Sequence, residues 1–167
     1  PSRRRKEHDY TDLIDDFISD TKEQESTIKL VNILFSVCGP DFIINNIETE
    51  IGSPQKHLIK YKSENFYCNV HDLLVIYYFW QISRAADNLI ETDTPIIAEI
   101  GGGYGGVISK AKKRYSKARF IIFDLPELLA VQTYYIYNAF PESKILYLKD
   151  ILERGNKVFY EDFDFII

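Results

Sequence analysis

Five glycines fall within six positions, Gly101-Gly102-Gly103-Tyr104-Gly105-Gly106, directly after the apolar run Ile96–Ile100 and before a helix-forming segment. Glycine at this density costs conformational entropy, so a merely structural turn explains it poorly. Between a strand and a helix, the same residues let the backbone turn tightly and approach a ligand. The unpaired amides and the positive dipole end of the helix then face that ligand. The loop predicts a nucleotide-type cofactor site on a strand–loop–helix unit.

The surrounding pattern agrees. Apolar strands at Ile96–Ile100, Phe120–Phe123, Ile145–Leu148 and Phe163–Ile167 alternate with helices from Gly105 to about Tyr115 and from Pro126 to about Phe140. Short strands that are apolar on both faces and separated by helices indicate a parallel sheet covered on both sides, with right-handed crossovers. The expected fold class is α/β, a partial Rossmann-like domain of about four parallel strands preceded by a helical N-terminal region. Residues 1–94 form that mainly helical region and 95–167 the cofactor-binding half-domain, with the boundary in Thr92-Asp93-Thr94-Pro95. Upstream, residues 10–50 read as helical, Gly39-Pro40 ends one helix, and Asp41 is placed to cap the next. Gly52-Ser53-Pro54 is a turn. Residues 57–68 read as extended. A helix opens at Asn69–Asp72 and runs to about Ile90, apolar nearly all round and so expected to be buried on most sides.

Which cofactor the loop serves depends on its neighbours. Gly101-x-Gly103-x-x-Gly106 satisfies a dinucleotide pattern, and Glu99-x-Gly101-x-Gly103-x-Gly105 satisfies a methyltransferase pattern, so the glycines do not discriminate. Glu99 does. At the exit of the strand its carboxylate would repel a pyrophosphate and attract a cationic sulfonium and ammonium ligand such as S-adenosylmethionine. Asp124, at the end of the second strand, is placed to accept hydrogen bonds from ribose hydroxyls; its structural alternative is a cap for the helix begun by Pro126. Asp150, after the third strand, can accept from an adenine amine or cap the following helix. Tyr104, inside the loop, can cover the methionine end of the cofactor or stand exposed.

Composition excludes several other classes. The chain has 167 residues, 46% of them hydrophobic, with 20 basic against 25 acidic residues and a net charge of −5. That balance speaks against a nucleic-acid-coating surface. No apolar run approaches the roughly 20 residues of a membrane span, and no signal-like segment opens the chain. Cys38 and Cys68 are isolated, which fits a reduced, cytoplasmic protein. The basic run Arg3-Arg4-Arg5-Lys6 reads as a solvated terminus. A chain that starts at Pro1, lacks methionine and stops on the strand-like Asp162–Ile167 segment reads as a piece of a longer one.

Glu99–Gly106 followed by Phe123-Asp124-Leu125-Pro126-Glu127 resembles the class I small-molecule O-methyltransferases. Within that class, the order of features resembles the sugar O-methyltransferase family of bacterial polysaccharide loci, over roughly residues 50–167 and most strongly over 96–150. The resemblance implies S-adenosylmethionine as cofactor, with contacts at Glu99, Gly101, Gly103, Gly105, Asp124 and Asp150; Gly102, Tyr104 and Leu125 are expected to complete the cofactor site. It also implies a small-molecule or glycan hydroxyl as methyl acceptor. The class's acceptor-site and catalytic positions follow its fourth strand and have no counterpart here. Two rival functions stay open, an NAD-dependent oxidoreductase or epimerase and a non-catalytic cofactor-binding interaction module.

Chemistry inside the chain is thin. Removing a proton from a sugar hydroxyl calls for a general base or a metal. His71, with Asp72 as its orienter, is a weak candidate for the base, against a capping pair on a packed helix. His8, His57 and the pair Asp15-Asp16 suggest nothing catalytic, and no complete metal-ligand set stands out. Tyr134-Tyr135-x-Tyr137 and Tyr77-Tyr78-Phe79-Trp80 could stack on a sugar ring, but core packing explains most of both. The oligomeric state is not legible.

Overall fold

The computed structural model describes residues 10–47, 51–52, 55–62, 64–87, 90 and 94–167, with residues 10–21 and 64 described by backbone alone. The basic run at 3–6, His8, Ser53-Pro54, Thr92-Asp93 and the side chains of Asp15-Asp16 lie outside what is described. Helix α1 (Tyr10–Cys38) is continuous and leads into α2 (Pro40–Asn46). Asp41 does not cap α2. Gly39 occupies that position with a positive φ of 83°, which a glycine adopts without strain, and Pro40 follows in the first turn. The extended segment is an antiparallel hairpin of β1 (His57–Tyr61) and β2 (Glu64–Cys68).

Helix α3 (Val70–Ala86) begins with the Asn69 side chain accepting from the Asp72 amide at 2.8 Å. One side of it packs inward through Leu73, Val75, Ile76 and Phe79. The other side leaves Leu74, Tyr78 and Ile82 exposed, so the helix is less enclosed than its composition suggests. Val31, Leu34, Ile43, Ile59, Phe66, Cys68, Leu73 and Ile76 make a core of their own from α1, α2, the hairpin and α3. Cys38 and Cys68 are free thiols. Burial, and then the nearby Asp72, push the Cys68 thiol up to about 12.

From Ile96 the chain alternates β3 (Ile96–Ile100), α4 (Gly106–Arg114), β4 (Arg119–Phe123), α5 (Pro126–Ala139), β5 (Ile145–Leu146), α6 (Leu148–Arg154), a 3-10 helix (Gly155–Tyr160) and β6 (Phe165–Ile166). The four strands form one parallel sheet in the order β3-β4-β6-β5. The protein is therefore mixed α/β with a parallel four-stranded sheet. Ile108, Ala111, Phe120, Ile122, Ile136 and Phe165 pack on the α4 and α5 face, joined by Phe79 of α3. Leu146, Val158, Phe163 and Ile166 pack on the opposite face.

Two features depart from the expected sheet. In the usual doubly wound order the first strand lies between the second and the fourth. Here β3 is an edge strand and β6 lies beyond β4. A buried lysine explains the pairing: Lys112 Nζ donates to the carbonyls of Ser116 (2.8 Å) and Ala118 (3.3 Å) and to Asp164 Oδ1 (2.5 Å). This cluster ties the end of α4 to the starts of β4 and β6, and the Phe120 and Phe165 rings stack at 5.4 Å above it. Cover is also incomplete. Ile96 (52%) and Ile100 (84%) of β3 and Phe123 of β4 are exposed, because α6 and the 3-10 helix lie over the other strands.

No single helix among the described residues is long and apolar enough to cross a membrane.

Candidate functional site

Alternation along β3 turns Ile97 and Glu99 toward the face that carries α4 and α5, and the register places them beside Phe120 and Ile122. Glu99 thus reaches the carboxyl end of the sheet directly beneath the glycine loop. The loop leaves β3 with the Gly101 amide donating to the Phe123 carbonyl at 2.9 Å. It then turns through Gly105 N–H to the Gly102 carbonyl at 3.0 Å and enters α4. Gly101 and Gly103 lie on the exposed outer side of this turn.

Two of the glycines are constrained for different reasons, Gly102 by the side chain beneath it and Gly105 by a positive φ. A Cβ on Gly102 would collide with the Glu99 carboxylate. Gly105 has φ 96°, and α5 packs on it, with Tyr135, Gln132 and Ile136 carbon atoms 3.6 to 3.8 Å from where a Cβ would stand. The loop is pressed between the Glu99 side chain and one face of α5.

Glu99 and Asp124 come near each other at the carboxyl ends of β3 and β4. Glu99 Oε2 is buried and has no hydrogen-bond partner among the described residues. Burial, and then the charge of Asp124, push its carboxyl up to about 7. Asp124 Oδ1 accepts from the Leu125 amide at 2.8 Å and Oδ2 from Gln132 Nε2 at 2.6 Å. Its carboxylate thus faces the site, and Leu125, itself exposed, takes the cap position of α5 with no side-chain cap bond.

Tyr104 is the hub of an aromatic cluster. Its ring stands edge-on to Tyr135 at 4.8 Å and lies 5.2 Å from the His71 ring. His71, exposed at the start of α3, is therefore brought to the loop. The orienter expected for it, Asp72, faces another partner, its carboxylate lying 4.0 Å from Lys56 Nζ. Of the tyrosines on α5, Tyr135 is buried against the loop, and Tyr134 and Tyr137 are exposed.

Asp150 stands apart from this group. Its carboxylate accepts from the Tyr147 amide at 2.8 Å as a helix cap and pairs with Arg154 at 2.8 Å. Those partners hold it below the usual carboxylate range, the Tyr147 bond first. A cavity of about 490 Å³ opens nearby, between Pro126, Leu129 and Thr133 of α5 and the Tyr147–Lys149 segment. Among the described residues, no group of three or more His, Cys, Asp or Glu side chains is placed to hold a metal ion.

Sequence reasoning missed Gln132. It is fully buried, and its Nε2 bonds both the Gly103 carbonyl (2.9 Å) and Asp124. The available signal was its spacing, since Gln132 shares a helix face with Tyr135 and Ile136 at i+3 and i+4. No family model, curated protein or solved structure matches the chain.

Proposed function

We propose that the chain carries the cofactor site of an S-adenosylmethionine-dependent O-methyltransferase, built on a Rossmann-like half-domain and acting on a small-molecule or glycan hydroxyl. One observation carries this reading. The buried carboxylate of Glu99 has no hydrogen-bond partner under the glycine loop, and a second carboxylate, Asp124, lies beside it. Two acids at a helix N-terminus disfavour a pyrophosphate and favour a ligand that brings positive charge and hydroxyl donors. S-adenosylmethionine has both, so the residues present fit it.

When bound, S-adenosylmethionine supplies an electrophilic methyl group to a hydroxyl attacking in line with the carbon–sulfur bond. The chain's contribution is placement. Glu99 faces the cationic end, Asp124 accepts from the ribose, and the glycine loop admits the ligand close to the backbone. Tyr104 stands over the loop, and His71 beside it is the candidate general base. Asp150 can contribute to the adenine end only by sharing a carboxylate already used as a cap. The β3–α4–β4 unit holds all of this except His71 and Asp150, so the reading does not depend on where β6 pairs.

A second reading is a non-catalytic cofactor-binding module that docks on a partner, favoured by the exposed Ile96, Ile100 and Phe123 face. Isothermal titration with S-adenosylhomocysteine and with NAD tests the cofactor assignment. Binding of S-adenosylhomocysteine alone is expected, and binding of NAD alone would replace the proposal with an oxidoreductase. Methylation assays with sugar nucleotides and glycans separate the enzyme from the docking module.

A further inference from the structure

Gln132 ties the Gly103 turn of the loop to Asp124, in addition to the backbone hydrogen bond from the Gly101 amide to the Phe123 carbonyl. It rises from α5, is fully buried, and lies against Gly105, with its Cγ 3.8 Å from where a Cβ of that glycine would stand. The orientation of its amide follows from its partners. The Gly103 carbonyl and the Asp124 carboxylate can only accept, so the amide nitrogen must face both, at 2.9 and 2.6 Å. The oxygen then points away from both and remains buried with no hydrogen-bond partner among the described residues. Burying an unpaired amide oxygen is unfavourable. A residue serving only to fill the core would meet the same space with an apolar side chain at no such cost.

We infer that Gln132 is a positioning residue that locks the glycine loop to Asp124, holding the two ligand-binding elements at a set separation. The consequence for S-adenosylmethionine rests on the proposed function above; the lock itself does not. Without the amide donor, the Gly103 carbonyl and one oxygen of Asp124 lose their partner together. The loop is then held to α5 by apolar packing, at Gly105 and between the Tyr104 and Tyr135 rings.

Gln132→Met keeps the length of the side chain and removes both donors, and Gln132→Glu keeps its outline while replacing the donor by an acceptor. Amide hydrogen exchange on the whole chain is the first readout. Residues 101–106 are expected to exchange about tenfold faster in Gln132→Met, equivalent to about 1.4 kcal/mol, with the β4 and β6 amides unchanged. Titration with S-adenosylhomocysteine is the second. A drop in affinity of about tenfold or more is expected, and it should be smaller in an Asp124→Ala background, because both changes break the same link. Gln132→Glu should loosen the loop at least as much, since it sets a further carboxylate against Asp124.

Unchanged exchange at 101–106 in a folded variant overturns the inference, and so does full additivity with Asp124→Ala. Unfolding of both variants also overturns it, by making Gln132 a determinant of the fold. Failure of the unsubstituted chain to bind S-adenosylhomocysteine would remove the functional reading and leave the exchange test of the lock intact.

Discussion

Two buried polar clusters lie at opposite ends of the same sheet. At the amino ends of the strands, Lys112 donates to two carbonyls and to Asp164, and Asp164 also accepts from the Lys144 amide at 2.9 Å. Burial opposes ionisation of Asp164, yet these bonds hold its carboxyl below the usual range. At the carboxyl ends, Asp124 accepts from Gln132 and from the Leu125 amide, whereas Glu99 Oε2 and Gln132 Oε1 have no partner among the described residues. A closed cluster stabilises a fold, whereas a cluster left with open acceptors at the carboxyl end of a parallel sheet stands where ligands bind in such folds. The contrast separates a cluster whose acceptors are paired from one whose acceptors are left open.

The sharpest way to break that contrast is Lys112→Ala. It should cost about 2–3 kcal/mol of stability, between an exposed ion pair and a fully buried one, read by urea denaturation. Asp124→Ala should leave the denaturation midpoint nearly unchanged and weaken S-adenosylhomocysteine binding by about 1–3 kcal/mol, read by titration. If Asp124→Ala destabilised the chain as much as Lys112→Ala, the two clusters would not differ in kind.

Glu99 sharpens the comparison through pH. The folded chain holds its proton up to about 7, whereas an unfolded carboxyl releases it near 4.5. Across that window the native state binds more protons, so stability of the ligand-free chain should fall as pH rises through it. Glu99→Gln should flatten this part of the melting-temperature profile. The smallest effect is expected at an exposed pair. Arg114 and Asp87 are ion-paired at the surface, with side chains 44% and 41% accessible. Asp87→Asn should change stability by less than about 1 kcal/mol, and a larger loss would show that surface pairs carry weight here.

Much of this was legible in the residues. The glycine loop, the strand before it, Asp124 after the next strand and the helix begun by Pro126 all carry local signals: apolar runs, turn chemistry and spacing. Strand order was not legible, because the period of a buried parallel strand says that it is covered and not which neighbour it takes. The partner choice rests on Lys112, which sits in the run Lys110-Ala111-Lys112-Lys113 and resembles a solvated helix face by composition. Lys110 is buried as well, donating to the Asn46 carbonyl at 2.7 Å. Gln132 was hidden for the same reason, since a polar residue in a helix shows its partners only once the loop and α5 are packed. Asp150 had two readings, and its carboxylate is occupied as a cap.

The position of β6 has a consequence for how the sheet assembles. It is the latest of the four strands in the chain, yet it lies between β4 and β5 and pairs Phe120 with Phe165. A β3–α4–β4 unit can form early from contacts close in sequence, but it then presents β4 with an unpaired edge until residues some distance along the chain return. Closing that gap is a long-range search, which places sheet completion among the slow steps of folding. Until β6 arrives, the open edge of β4 is the surface most exposed to pairing with another chain.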